Sequence, residues 1–310
     1  MHSEPRITIA ICTYNRAGYL KDTLEDLTVQ DLDLSLFEIL VVNNNSGDGT
    51  DTVCEIFSKT NPQMQFRWVN EPRQGLSFAR NKAAKEAGAE VILYIDDDVC
   101  LPNDFVRNAI IYLDKRESTL CAGGRIFVSF DDMDKQPDWI PQELMPMFGL
   151  HDLGRHDCFY PPGNFPRGGN MMIRKNVFDA FGYFDTHLGR SGKQLLGSEE
   201  KAFFDRIRKN GVQLHYWAGM QLIHRIGSER LEKEYLKKQS IGIGHSERLR
   251  VQEVFTETAA KFSSEMFKLA GSFLIAIWYL VRGKAKAAGF LIQFRFWVLK
   301  GFLKRDKDED

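Results

Sequence analysis

Four short apolar runs punctuate the first hundred residues, and each ends in a polar cluster. Ile7 to Cys12, Phe37 to Val42, Gln65 to Val69 and Val91 to Ile95 are rich in β-branched and aromatic residues, as buried strands are. Between them apolar residues recur at helical spacing. Leu20, Leu24 and Leu27 do so within Ala17 to Gln30, and Val53, Ile56 and Phe57 within Asp51 to Lys59. Ser77 to Ala87 is an Ala-rich helix that Gly88 is placed to cap. Strands alternating with helices predict an α/β fold: a Rossmann-like, mostly parallel sheet flanked by helices, with right-handed crossovers. Further on, Pro102 to Leu113 and Lys201 to Lys209 read as helices and Leu120 to Phe130 as a strand. Asp131 to Pro166 is irregular, rich in Pro and aromatics, and long enough to be a functional loop.

The chemistry collects where the apolar runs stop. Asp96-Asp97-Asp98 follows the fourth strand directly, and carboxylates at the carboxyl end of a strand lie where open α/β sheets bind ligands. Three adjacent negative charges repel, and a hard divalent ion such as Mg²⁺ or Mn²⁺ compensates them well; a solvated acidic turn is the plainer reading. The other strand ends carry Thr13-Tyr14-Asn15-Arg16, the Asn43 to Asn45 turn, and Arg80-Asn81 in the following helix. These side chains can hydrogen-bond a base and ribose on the same rim as the acidic cluster. Gly168-Gly169-Asn170 permits close backbone approach. Glu199-Glu200 begins a helix, where carboxylates favour the dipole; in a site they would instead supply a general base. His224 ends an apolar run next to Arg225, either as a satisfied core residue or as a metal ligand. No Gly-x-Gly-x-x-Gly follows the first strand, so a dinucleotide fingerprint is missing.

Composition narrows the field. The 310 residues carry a formal net charge of −1, which gives no global pull on nucleic acid. Cys12, Cys54, Cys100, Cys121 and Cys158 lie far apart without a Cys-x-x-Cys pair, as in a reducing compartment. The chain enters its first strand within a few residues and lacks a signal-peptide pattern, so a cytoplasmic location is expected. After Val251 the composition shifts, dividing the sequence into a catalytic domain over 1–250 and a helical, basic and apolar segment over 251–310. Leu269 to Val281 is apolar but too short to span a bilayer comfortably. Lys or Arg at 282, 284, 286, 295, 300, 304 and 305 accompany it with no acid among them. This pattern suits peripheral contact with an anionic membrane through 265–305, or a helical hairpin that packs on the protein or forms a homo-oligomer.

Taken in order, these residues resemble the family 2 glycosyltransferases of bacterial surface and exopolysaccharide type. The resemblance rests on Cys12-Thr13-Tyr14-Asn15-Arg16, Val41 to Ser46, Gly75 to Asn81, Asp96-Asp97-Asp98, Gly169-Asn170-Met171 through Phe184-Asp185, Gly197 to Glu200, and His224-Arg225 with Arg230 and Gly242. It covers about residues 5 to 250; each motif is weak alone, and the series is strong. It implies a GT-A fold and metal-dependent transfer of a sugar, with inversion, from a nucleotide-diphosphate sugar to a hydroxyl. The acceptor would be a glycan or a lipid-linked glycan at the inner face of the cell membrane. Asp98, Asp96 and His224 would hold Mn²⁺ or Mg²⁺, and Asp97 would position ribose or sugar. Glu200, with Glu199 as alternate, would be the base. Thr13, Tyr14, Asn15, Arg16, Asn43, Asn45, Arg80, Gly169, Asn170 and Arg225 would line the donor. Asn43 replaces the family's usual Asp, which leaves the base open although a UDP-sugar is the first expectation; Glu199-Glu200 replaces Glu-Asp. A non-catalytic sugar-nucleotide-binding scaffold is the competing reading, and a nucleotidyl-transferring enzyme a third, weakened by the lack of a Gly-x-x-x-x-Gly-Lys loop.

Overall fold

Strands β3 (Gln65–Asn70), β2 (Phe37–Asn43), β1 (Ile7–Thr13) and β4 (Val91–Ile95) lie side by side in that order, all parallel. The computed structural model describes residues 4–131, 133–189, 197–252 and 254–304. Helices α1 (Ala17–Thr28), α2 (Thr50–Thr60) and α3 (Leu76–Glu86) make the crossovers. Every residue of β2 is buried, because helices cover both faces. Ile9, Ile11, Ile39, Val41 and Leu93 pack on one side with Leu20, Leu24 and Leu27 of α1. Ala10, Leu40, Val42 and Ile92 pack on the other with Ala79 and Ala83 of α3. The small alanines of α3 let that helix lie close to the sheet.

Past β4 the sheet is mixed. β8 (Asn170–Arg174) pairs antiparallel with β4, and β6 (Cys121–Phe130) antiparallel with β8. β9 (Leu214–Ile226) comes next, flanked by the short antiparallel strands β5 (Val99–Cys100) and β7 (Cys158–Phe159). The parallel half is the half that strand–helix alternation predicts. The second half lacks that alternation, since antiparallel neighbours need no helical crossover. α4 (Phe105–Lys115) and α5 (Lys175–Phe181) complete this region, and α6 (Glu199–Lys209) starts two residues before the apolar pattern predicts, so both glutamates lie in its first turn.

The chain divides into two compact units. One takes Met1–Val128, Gly149–Thr186 and Glu199–Arg225; the other takes Ser129–Phe148, His187–Ser198 and Ile226–Asp310. The second contains α7 (Lys233–Val251), α8 (Phe255–Val281) and α9 (Ala285–Phe302). Hydrophobic spacing gives no sign of α7, whose buried face includes Gln239, Ser240, Gly244 and Ser246. Small residues there serve close packing: a Cβ on Gly244 would overlap the Val298 carbonyl of α9, and one on Gly301 the Ile241 carbonyl of α7. Arg305, the last of the basic residues in the C-terminal pattern, lies outside the described residues.

Within the first unit His151 is 5% exposed, stacked on Tyr160 and hydrogen-bonded to its hydroxyl at 3.0 Å. Burial, aided by the positive charge of Arg167, pulls its imidazole from 6.5 down to about 3. The folded protein therefore keeps His151 neutral while the unfolded chain binds a proton below about 6.5. That contribution to stability is complete above about 6.5 and falls away as the pH drops toward 3. Denaturant unfolding at pH 7 and 5 should record a loss of about 2 kcal/mol from this residue. His151→Asn should remove that share of the acid sensitivity, and an unchanged pH slope in the variant would contradict the assignment.

Candidate active site

The polar ends of β1 and β4 meet directly. The Thr13 hydroxyl at the end of β1 donates to Asp97 at 2.7 Å. Arg16, the residue before α1, reaches back to Asp97 at 3.1 Å and also pairs with Asp98. Asp97 is 5% exposed and Asp98 1%. Burial pushes the Asp97 carboxyl up to about 6 against the opposing pull of Arg16. Burial works equally against the charge on Arg16, but the two aspartates outweigh it and hold the guanidinium protonated. The turn itself is clamped by Thr23 of α1, whose hydroxyl donates to the Asp97 carbonyl at 2.9 Å and accepts from the Val99 amide at 3.3 Å. A Thr inside the apolar stripe Leu20, Leu24, Leu27 is the sequence signal for this clamp. Tyr19 is a second unforeseen participant. Its ring lies under both Arg16 (5.2 Å) and Arg225 (4.9 Å), at the i+3 spacing from Arg16 that puts both on one helix face.

His224 arrives through strand pairing. β5 is antiparallel to β9 with Val99 opposite His224, and Nε2 of His224 stands 3.2 Å from an Asp98 oxygen. Gly149, at φ +100°, makes room for the ring: a Cβ there would strike Nδ1. One ligand atom each from Asp96, Asp98 and His224 lies within 4.8 Å of the others. Two carboxylate oxygens and an imidazole nitrogen suit a borderline-hard divalent ion, Mn²⁺ well and Mg²⁺ acceptably. The donor set therefore fits such an ion.

The second acidic pair joins the first through one arginine. Arg80 of α3 is 3% exposed and bridges Glu199 at 3.0 Å and Glu200 at 2.9 Å. Burial disfavours its charge, but Glu200, Glu199 and Asp96 together overcome that and keep it protonated. The Gly168-Gly169 backbone threads the same space. A Cβ on Gly168 would overlap the Arg80 guanidinium and the Glu200 carboxylate, and one on Gly169 would overlap Asp96. Acidic groups a hundred residues apart thus lie around one arginine and one glycine pair. The Glu199 side chain is 4% exposed and that of Glu200 17%, so Glu200 is the more accessible.

Several other predicted residues are engaged elsewhere. Asn15, at φ 53°, accepts from the Gly47 amide at 2.7 Å and ties the loops after β1 and β2 together. Asn43 accepts from Ser46 at 2.9 Å and donates to Asp51 at 2.9 Å. Asn45 is exposed at φ 63°, and Tyr14 is 40% exposed at the loop tip. Asn170 is fully buried and its side-chain N–H groups donate to the Arg125 and Met220 carbonyls, tying β8 to β6 and β9. Arg225 holds the turn by donating its backbone N–H to the Asp98 carbonyl at 2.8 Å, while its guanidinium pairs with Asp22.

A mixed sheet with acidic groups at its strand ends is the GT-A architecture of glycosyltransferases, which solved structures share. The mannosyltransferase PcManGT of Pyrobaculum calidifontis, solved with GDP-Man and Mn²⁺, superposes with a TM-score of 0.61 at 16% identity, covering 96% of this chain and 88% of that one. Residues 1–349 of Staphylococcus aureus TarS with UDP-GlcNAc superpose with a TM-score of 0.51 at 15% identity, covering 96% and 91%. Among curated proteins, the glucosyl-dolichyl phosphate glucuronosyltransferase of Haloferax volcanii is 23% identical over 247 residues, 79% of this chain and 77% of its own. The description "Glycosyl transferase family 2" matches residues 8–182, and the chain belongs to that family. It is a glycosyltransferase.

Because Arg80 is buried between two carboxylates, removing it takes away a buried cation with which both Glu199 and Glu200 pair. Arg80→Met should lower the free energy of unfolding by about 3–5 kcal/mol. Adding Glu199→Leu should restore a large part of that loss. If the double variant is no more stable than the single one, the pairing does not carry the stability ascribed to it.

Proposed function

We propose that the protein is a metal-dependent, inverting glycosyltransferase that moves a sugar from a nucleotide-diphosphate sugar to a hydroxyl of a glycan or lipid-linked acceptor in cell-surface polysaccharide synthesis. The observation that carries this reading is that Asp96, Asp98 and His224 each offer a ligand atom within 4.8 Å of the others, while Arg80, which feels the charge of Asp96, pairs with Glu200. The GT-A neighbours crystallised with GDP-Man plus Mn²⁺ and with UDP-GlcNAc support a nucleotide-sugar donor and leave the base between uridine and guanosine. A relative named for glucosyl-dolichyl phosphate supports a lipid-linked acceptor. With such an acceptor the enzyme works at the inner face of the membrane.

Asp96, Asp98 and His224 would hold the divalent ion, which when bound neutralises charge developing on the leaving diphosphate. Arg16 keeps Asp98 oriented and lowers the repulsion among the three aspartates. Glu200 takes the proton of the acceptor hydroxyl as its oxygen forms the new bond to the anomeric carbon. The bond from that carbon to the diphosphate oxygen breaks on the opposite side, and the configuration inverts. Glu199 is too enclosed for that work and anchors Arg80, which in turn sets the position of Glu200. A positioned base of this kind contributes about 10²- to 10⁴-fold.

Glu200→Gln should reduce transfer by about 10²- to 10⁴-fold while calorimetry records donor and Mn²⁺ binding within about twofold of the parent. Full turnover in this variant would transfer the base role to another group. Asp98→Ala should abolish the Mn²⁺ dependence of nucleotide binding in the same calorimetric assay. Binding that still responds to Mn²⁺ would remove Asp98 from the ion.

A further inference from the structure

Helix α8 is built inside out. Its buried face is Glu265, Leu269, Ser272, Ala276 and Tyr279, three of which are polar. Each polar group has a partner within the second unit. Glu265 accepts from Lys268 at 2.7 Å and pairs with Lys261 at 3.2 Å, and Ser272 accepts from Arg295 at 3.0 Å. The Tyr279 hydroxyl donates to Glu143 at 2.9 Å. The polar side is therefore seated where it belongs. The opposite side exposes Phe267, Phe273, Leu274, Ile277, Trp278 and Val281, with Leu274 at 71% and Val281 at 83%. An apolar face of this size on a soluble surface marks an interaction site.

Charge selects the occupant. From Met266 to Lys304 the sequence contains no acidic residue, while Lys268, Arg282, Lys284, Lys286, Arg295, Lys300 and Lys304 are basic. A second copy of this chain docking symmetrically would bring these cations against one another with no carboxylate from the same stretch to offset them. An anionic lipid surface meets the cations and the apolar face together. Trp278 stands at the boundary with the Arg282 guanidinium 4.0 Å over its ring, an amphipathic pair suited to the headgroup level. Among the described residues α8 is the one helix long and apolar enough to cross a membrane by length and composition. Its uncharged stretch, Leu269 to Val281, is however only about 20 Å long, short of the roughly 30 Å hydrocarbon core. We propose that α8 lies in the plane of an anionic leaflet, its Phe267–Val281 face sunk at the acyl boundary and the exposed cations Arg282, Lys284 and Lys286 against headgroup phosphates. This deepens the acceptor side of the function above and rests on that reading for its purpose, since a lipid-linked acceptor presents its hydroxyl at such a surface.

Sedimentation of the full chain with phosphatidylcholine vesicles, and with vesicles roughly one third phosphatidylglycerol, tests it. Binding at least about tenfold tighter to the anionic vesicles, weakened by salt, is expected. Leu274→Glu with Ile277→Glu should abolish it without changing the melting temperature, because both side chains are solvent-exposed. Absence of binding to either vesicle would overturn the proposal. So would vesicle binding that survives the double substitution, or a dimer of the parent chain that the substitution dissolves. Mn²⁺-dependent donor hydrolysis by the same samples separates the two claims. Hydrolysis with no vesicle binding removes the bilayer surface and leaves the transferase standing; vesicle binding with no hydrolysis does the reverse.

Discussion

Five carboxylates, Asp96, Asp97, Asp98, Glu199 and Glu200, crowd the ends of the strands, and two largely buried arginines, Arg16 and Arg80, hold them there. Formally these seven groups sum to −3. Such an arrangement is expensive in isolation, because desolvating charges costs more than their attraction returns unless the geometry is good. A divalent cation would offset most of that residual negative charge. Arg16 pairs with Asp97 and Asp98, and Arg80 with Glu199 and Glu200, so each of the two acidic clusters has a cation paired to it.

The fold supplies the precision. The parallel register of β1 and β4 sets Thr13 within hydrogen-bond reach of Asp97, and Thr23 on α1 fixes the backbone of the acidic turn from below. The antiparallel half delivers the groups that come late in the sequence: β9 brings His224 to Asp98, and the Gly168-Gly169 segment ahead of β8 leaves space for Arg80, Glu200 and Asp96 to approach. Each half contributes what the other cannot.

Much of this could be read from residue order. Apolar runs ending in polar clusters gave the parallel strands, and the acidic triplet, the glutamate pair and His224 stood out at their ends. What stayed hidden depended on tertiary pairing. Asn15, Asn43 and Asn170 look like ligand contacts in a motif, and the structure adds that their side-chain amides fasten loops and strands, a use that only strand neighbours reveal. Arg80 looks like a nucleotide contact, and its ion pairs with Glu199 and Glu200, 119 and 120 positions further along the sequence, could not be read from residue order. α7 escaped because small and polar residues face inward, where helix backbones pack closely and apolar spacing carries no message. In α8 the apolar residues were legible but not the side they would occupy, since its most apolar side is its exposed one.

Anomalous X-ray diffraction at the manganese edge, from crystals grown with Mn²⁺ and a nucleoside diphosphate, tests the shared cleft most directly. One strong peak within coordinating distance of Asp98 and His224 is expected, with the diphosphate on the side of that ion facing Glu200. A manganese peak held by other residues, or a diphosphate leading away from Glu200, would contradict it.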